Sequence, residues 1–527
     1  MAELGSHAVV LGAGMAGLLA ARVLSEFYAS VTVVERDALP DRPERRTGVP
    51  QGRHLHNLLS RGTQAIGELV PGFLGELAAA GAVVDDSDNL ARVYVRVGRY
   101  ELNPTGRLTD PEPLAAYQAS RPFLEFHLRR RVGLLDNVAI LERQNIVAPV
   151  ITGESVSGVR IINRDSGIAS ILSADLVVDA TGRASRTAHL LANAGFGAVP
   201  KEKVPSAAGY SSQLLSIPPG SIAERMVFAS QVSREPGALM VAYECDTWML
   251  AISCPVEYGS PPEDFAEMMH AAEAILPARI MAGVRKATCI GETSISRNTA
   301  AQWRRYDRMP QLPAGLVVLG DALCSLNPLH GQGMTMAALQ ALSLRDCLSM
   351  GDADLPQRFY RAAADEIGAV WAVNRAADQR APARPLNSWI QRAALRAAST
   401  DVVVAERIMR VRGLIDPPAR LREPSFFARI MLANIRFARP ELPAATAHSS
   451  LSDADERAIR ALVDHQAKRR RGGTRITRLR YLTPDVALIQ ARAAIRGRLR
   501  CGTRRNTSVA VRTDDGWLLA FSHNTAY

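Results

Sequence analysis

The chain has 527 residues, of which 47% are hydrophobic and 22% charged, a composition that fits a soluble globular protein with room for about three domains. The net charge of +11 invites a nucleic-acid reading, but +9 of it falls in residues 452–527, which leaves the body close to neutral and argues against a nucleic-acid partner. No stretch reaches the roughly 20 apolar residues of a membrane helix. The six cysteines show no CxxC spacing, so free thiols in a reducing cytoplasm are expected.

The first predicted element is an apolar run over residues 7–11, too short for a helix and suited to a buried parallel strand. Gly12, Gly14 and Gly17 follow in GxGxxG spacing, then a helical stretch over 18–24 and a second apolar run over 31–34 that ends at Glu35. In this order the glycines have defined tasks: a tight turn, close backbone approach to a pyrophosphate, and close helix–strand packing. The helix start offers free N–H groups to phosphate, and Glu35 stands where a carboxylate can accept from ribose hydroxyls. The predicted dinucleotide contacts are Gly12, Gly14, Met15, Ala16, Gly17, Glu35 and Arg36. The motif alone leaves FAD and NAD both open.

Three later segments bear on that choice. Residues 315–319 form another buried-strand pattern leading to Gly320-Asp321, after which Pro328, Gly331, Gln332, Gly333 and Met334 open a long apolar helix. This resembles the second FAD fingerprint of the group A flavin monooxygenases, a GD segment followed by PxxGxG. The resemblance implies that Asp321 binds the ribityl chain and that the helix start faces the flavin pyrimidine, where a helix N-terminus favours negative charge. Residues 120–125 are similar to that family's helix carrying an FAD-contacting arginine, here Arg121. Residues 175–182 are similar to its strand and ATG turn, with Thr181 and Gly182 beside the adenosine.

Residues 46–56 resemble the RxGVPQxRHxH stretch of bacterial natural-product monooxygenases, in particular polyether epoxidases acting on lasalocid and monensin precursors. The resemblance spans about residues 5–440 and implies that Arg46 and Gln51 lie along the flavin. His54 and His56, at i and i+2 with no accompanying third ligand, fit no metal site.

Residues 196–300 carry short strand-like runs at 208–217, 225–230, 239–243 and 248–253. In the resembling family such a sheet covers the substrate pocket; Tyr210, Gln213 and Met240 are pocket candidates here, each with a plain core role as the alternative. From about 333 to 435 the pattern turns helical, and a Pro-containing linker covers 441–451. Residues 452–527 suggest a helix from 453 and strands at 482–488, 505–512 and 516–524. They are similar to the ends of SnoaL-like α+β cones with the middle missing.

The expected fold class is α/β: a Rossmann-like FAD-binding domain, an antiparallel-sheet substrate domain of the para-hydroxybenzoate hydroxylase kind, a helical C-terminal part and a small α+β tail. The expected domains are 1–195 with an insert at about 76–118, 196–300, 301–345, 346–440 and 452–527. The resemblance implies FAD, reduction by NADPH or NADH, and transfer of one oxygen of O2 through a flavin C4a-hydroperoxide to a hydrophobic substrate. Epoxidation of a polyketide-like alkene needs no protein base, and no positioned base or other catalytic residue can be read from the sequence. Aromatic hydroxylation is the alternative, followed by an O2-independent reductase or a non-catalytic flavoprotein. A flavin halogenase would show a WxWxIP tryptophan pair, which is absent. The basic tail is expected to contact a second copy or a pathway enzyme.

Overall fold

The computed structural model describes residues 3–230, 235–378, 385–437, 455–462, 474–483, 486–497, 500–513 and 516–525. The predicted linker at 441–451 lies outside them. The chain divides into two compact units, one of residues 1–380 with 409–417, the other of 381–408 with 418–527. The helical stretch predicted over 346–440 is therefore shared between units. Among the described residues no helix is long and apolar enough to cross a membrane.

The first unit is built on a five-stranded parallel sheet in the order Leu316–Val318, Leu176–Asp179, Gly5–Leu11, Tyr28–Val34 and Val138–Leu141. Its central strand is fully buried over Ala8, Val9 and Val10, as expected where helices cover both faces of a sheet. The edge strand Leu316–Val318 is closed by the helix Leu355–Asp378: Tyr360 accepts a hydrogen bond from Val318 N at 2.9 Å and stacks on Tyr306 at 5.0 Å between ring centroids. An otherwise open sheet edge is thereby covered.

A second sheet has seven strands, in the order Thr288–Ser296, Ala208–Ser216, Thr247–Pro255, Gly237–Ala242, Met226–Ser230, Val93–Val97 and Tyr100–Glu101. The four strands predicted within 208–253 are all present, shifted by a few residues at their ends. The sheet is neither confined to 196–300 nor wholly antiparallel, because Met226–Ser230 pairs in parallel with Val93–Val97 from the predicted insert. A parallel pair needs a long crossover, and its partners stand some 130 positions apart, so local sequence patterns cannot announce it. The sequence reading also missed the edge strand Thr288–Ser296. Behind this sheet the helices Phe265–Ile275 and Ala278–Val284 bury Met268, Ile280 and Met281 in a separate apolar core.

The second unit contains the helices Pro385–Ala398 and Pro424–Phe437 and a helix over 455–462. Its sheet is a four-stranded antiparallel meander of Thr474–Thr483, Val486–Gly497, Arg500–Thr513 and Gly516–Thr525. The single strand expected at 482–488 proves to be the end of one strand and the start of the next. Pro484 stands between them, a residue that lacks the N–H a central strand needs.

Candidate functional site

A cavity of about 760 Å³ opens where the carboxyl ends of the central parallel strands meet one wall of the seven-stranded sheet. Its size lies within the range of small-molecule sites. Of the residues predicted to bind a dinucleotide, Gly12, Gly14, Met15, Ala16, Glu35, Arg36, Arg46, Gln51, Arg121, Thr181 and Gly182 line it. Asp321, Pro328, Gly331, Gln332, Gly333 and Met334 line it as well, although some 300 positions separate them from the first glycines.

Gly17 and Gly320 do not reach the cavity surface. A Cβ on Gly17 would overlap the Gly12 carbonyl oxygen, and one on Gly320 would come within 2.7 Å of the Ala16 side chain. Both glycines instead permit close packing: of the first helix on its strand, and of the GD turn on that helix. Gly12 has φ +98° with the Ala180 carbonyl oxygen 2.9 Å from where a Cβ would sit, so no other residue fits the turn.

The helices Met15–Leu24 and Gly333–Ser349 both start on this cavity. Neither has a side-chain cap nor an acidic residue in its first turn, so their leading N–H groups are free for anionic or polar ligand atoms. The GD turn between them is fixed by residues that the sequence reading did not select. Gln340, 1% exposed, accepts from Gly320 N at 2.6 Å, and Arg304 donates to the Ala322 and Arg183 carbonyls at 2.8 and 2.9 Å. The loop ahead of the second helix is tied to the far end of the helix Leu355–Asp378: Asn374 donates to Gln332 Oε1 at 2.6 Å, and Asp378 pairs with Asn327 and His330. At the ATG turn, Asp179 accepts from Thr181 N, Thr181 Oγ1 and Thr187 Oγ1.

At the nucleotide end a buried ionic network replaces the expected single carboxylate. Glu35 accepts from Ala13 N at 2.9 Å and from the Arg36 and Asp37 amides, and pairs with Arg46 at 3.0 Å. Arg46 also pairs with Glu125 at 2.6 Å and Asp37 at 3.3 Å, and Glu125 in turn pairs with Arg121 at 3.0 Å. Burial pulls the Arg46 guanidinium toward deprotonation, but Glu125, Glu35 and Asp37 outweigh it and hold the charge on. Arg46 thus lines the cavity beside Glu35, held there by three carboxylates. Residues 46–48 turn back onto the nucleotide strand, since Gly48 N donates to Asp37 at 2.6 Å.

Asp321 shows how the cavity fits FAD. Among the described residues its carboxylate has no hydrogen-bond partner, and it borders the cavity near the start of the second helix. Burial pushes its pKa up, while Arg121, Arg183 and Arg304 pull it down. Facing the cavity with no protein donor, this carboxylate is free to accept from a ligand hydroxyl, as a ribityl hydroxyl would be. The residues present therefore suit a dinucleotide that carries a ribityl chain.

The opposite wall is uncharged. His54, Leu55, His56 and Asn57 come from one loop, and Tyr210, Ile295, Ser296 and Asn298 from the seven-stranded sheet and its end. Of the three pocket candidates on this sheet only Tyr210 lines the cavity. Gln213 is spent on the Ile290 and Gly291 carbonyls and Thr293, and Met240 lies in the core behind the sheet.

Tyr243 ties the loop of the uncharged wall to its sheet, and Glu244 joins that wall to the other. The Tyr243 hydroxyl accepts from His56 N at 2.8 Å and donates to His56 O at 2.6 Å, while Glu244 accepts from Ser120 N at 2.9 Å at the head of the Arg121 helix. Burial, with Arg45 and Arg53 nearby, pushes His54 down to about 4; burial and Arg121 push His56 down to about 3. Both imidazoles are neutral at physiological pH.

No protein-family model matches the chain. It is 38% identical over 454 residues to Protein Rv3254 of Mycobacterium tuberculosis, covering 82% of this chain and 94% of that protein. It is 28% identical over 364 residues to kynurenine 3-monooxygenase of Salinispora arenicola, covering 65% of this chain and 72% of that one. Solved structures with the same fold include a flavoprotein/dehydrogenase from Cytophaga hutchinsonii (TM-score 0.58, 14% identity, 81% and 98% covered) and the flavin-dependent brominase Bmp2 (0.54, 15%, 82% and 99%). PqsL of Pseudomonas aeruginosa, described as "a probable FAD-dependent monooxygenase", matches at 0.51 and 17%, with 76% and 98% covered. The chain belongs to the family of Rv3254, and its fold is that of the FAD-dependent monooxygenases and halogenases.

Proposed function

We propose that this protein is an FAD-dependent monooxygenase that draws electrons from NADPH or NADH and inserts one atom of O2 into a hydrophobic small molecule. The observation that carries the reading is the convergence of both uncapped helix starts and the unsatisfied Asp321 on one cavity. FAD, when bound, supplies the redox and oxygen chemistry. The chain's own part is to bind and to orient. The start of the Met15–Leu24 helix takes the pyrophosphate, Asp321 holds the ribityl chain, and the start of the Gly333–Ser349 helix stabilises negative charge. The apolar side chains of Leu55 and Ile295 limit water on the substrate side.

The sequence resemblance favours epoxidation of a polyketide-like alkene. Hydroxylation of a hydroxyl-bearing ring is a second reading, favoured by the neutral imidazoles on the substrate wall. The test is to incubate the flavin-loaded protein with NADPH and 18O-labelled O2 across polyenes and phenols, with Gly14→Glu as control. One labelled oxygen per product is expected from the wild type, and a colourless, inactive protein from the variant, whose carboxylate would enter the phosphate site. Reduced but unlabelled products would refute oxygen insertion, and full flavin content in Gly14→Glu would refute the phosphate site.

A further inference from the structure

The four strands of the second unit's meander carry nine arginines and no aspartate or glutamate. Register sorts them by face. Arg475 stands directly opposite Arg492, and Arg492 directly opposite Arg505, so three arginines form one row across three neighbouring strands. The next row on the same face is Arg478, Gln490, Thr507 and His523, and Arg480 and Arg496 belong to this face as well. Neighbouring strands lie about 4.8 Å apart, which sets the outer two arginines of the row about 10 Å apart at the backbone. That is within one Debye length at ordinary salt, so their fields add. Like charges directly opposite each other also weaken a sheet; the row is a cost to the fold.

The described helices of this unit bring little negative charge. Pro385–Ala398 and Pro424–Phe437 contain no acidic residue, and the helix over 455–462 sets Asp455 and Glu456 against Arg457 and Arg460. Glu456 pairs with Arg460 at 2.6 Å, and Asp401 with Arg429 at 2.7 Å. Ile489, on the opposite face of the sheet, is 1% exposed, which puts the unit's core on that side; an antiparallel sheet commonly packs one face and leaves the other open. Beyond the arginines their own face turns apolar: Leu488, Val509 and Phe521 make one row, and Val486, Val511 and Leu518 the next. Guanidiniums bordered by an aliphatic strip match carboxylates beside an apolar stripe, the surface of an acidic amphipathic helix. The phosphates of a nucleic acid would satisfy the arginines and leave the aliphatic rows without a partner.

We infer that this sheet face is a docking surface for an acidic amphipathic helix of another protein. The helix sets its carboxylates against the row of Arg475, Arg492 and Arg505 and its apolar stripe along Leu488, Val509 and Phe521. The inference is independent of the flavin site.

The test titrates the full-length, flavin-loaded protein against a fluorescent peptide of about 20 residues, built from Glu, Leu and Ala with leucines at helical i, i+4 and i+7 spacing. Anisotropy reads the binding. The wild type should bind the peptide, less tightly as salt rises, and should bind a scrambled peptide of the same composition more weakly. Changing Arg475, Arg492 and Arg505 together to Gln should cost about tenfold in affinity, and Arg492→Gln alone about threefold, since each ion pair is worth a few-fold. Changing Arg500, Arg504 and Arg512 to Gln removes the same charge from the opposite face and should leave binding as in the wild type. Because the row repels itself, its removal should leave the urea midpoint unchanged or raised. Should either triple variant fail to fold, Arg492→Gln against Arg504→Gln makes the same comparison. The proposal is overturned if the wild type does not bind the peptide, if changes on the two faces weaken it equally, or if the scrambled peptide binds as well. It is overturned too if single-stranded DNA of equal charge binds more tightly than the peptide.

Discussion

The two walls of the cavity recognise by different means. On the nucleotide wall, contacts come from glycine turns, helix starts and a chain of buried charges running from Glu35 through Arg46 and Glu125 to Arg121. On the sheet wall, they come from neutral side chains whose partners lie far away in the chain, such as His54 with Ser212. The first wall is specified by backbone geometry, which restricts residue type. The second is specified by surface shape and single hydrogen bonds, which many residues could supply. A cofactor common to a whole fold and a ligand particular to one branch can therefore share one cavity.

Arg46→Met should disturb the nucleotide wall most. It leaves Glu35, Asp37 and Glu125 buried without their shared cation, at a cost of about 3–5 kcal/mol, and should be read as a lower urea midpoint together with loss of bound flavin. An unchanged midpoint would mean that the network is decoration and that the contrast between walls is weaker than drawn. Tyr243→Phe attacks the uncharged wall, where its hydroxyl holds the loop to the sheet. Removing the hydroxyl strands both the N–H and the carbonyl of His56, for an expected loss of about 1–3 kcal/mol with flavin affinity little affected. Flavin loss as large as that of Arg46→Met would show that the walls are one unit.

Acidification sharpens the contrast further. His54 and His56 are held near 4 and 3, below the roughly 6.5 of an unfolded histidine. Between about pH 6.5 and 4 the unfolded chain therefore binds more protons, and stability falls as pH falls. His54→Gln should flatten that slope in urea titrations at stepped pH. A slope identical to the wild type would remove His54 from the explanation.

The same contrast governs what could be read from the sequence. Gly12, Gly14, Asp321 and Gly333 were legible because turns and helix starts constrain residue type at fixed spacing, whatever the rest of the chain does. Gln340 and Arg304 were not, since a buried polar residue inside an apolar helix or strand carries no local mark of the turn that it holds. The Arg46 network was half legible: its residues were visible, but Glu125 lies 79 positions away, and only folding shows that the two pair. The strand Val93–Val97 was missed for a like reason, its partner Met226–Ser230 being remote.

The helix Leu355–Asp378 has a consequence for what the chain can tolerate. Tyr360 fixes the strand before the GD turn, and Asn374 fixes the loop beyond it. These residues are fourteen positions apart, about four helical turns and some 21 Å, and so point in nearly the same direction. The helix acts as a gauge bar that sets the span of the whole 318–332 segment. Inserting one residue between the two anchors would rotate one of them by about 100° and leave the flavin-side loop without its reference, whereas exchanging exposed residues along the same stretch would cost little.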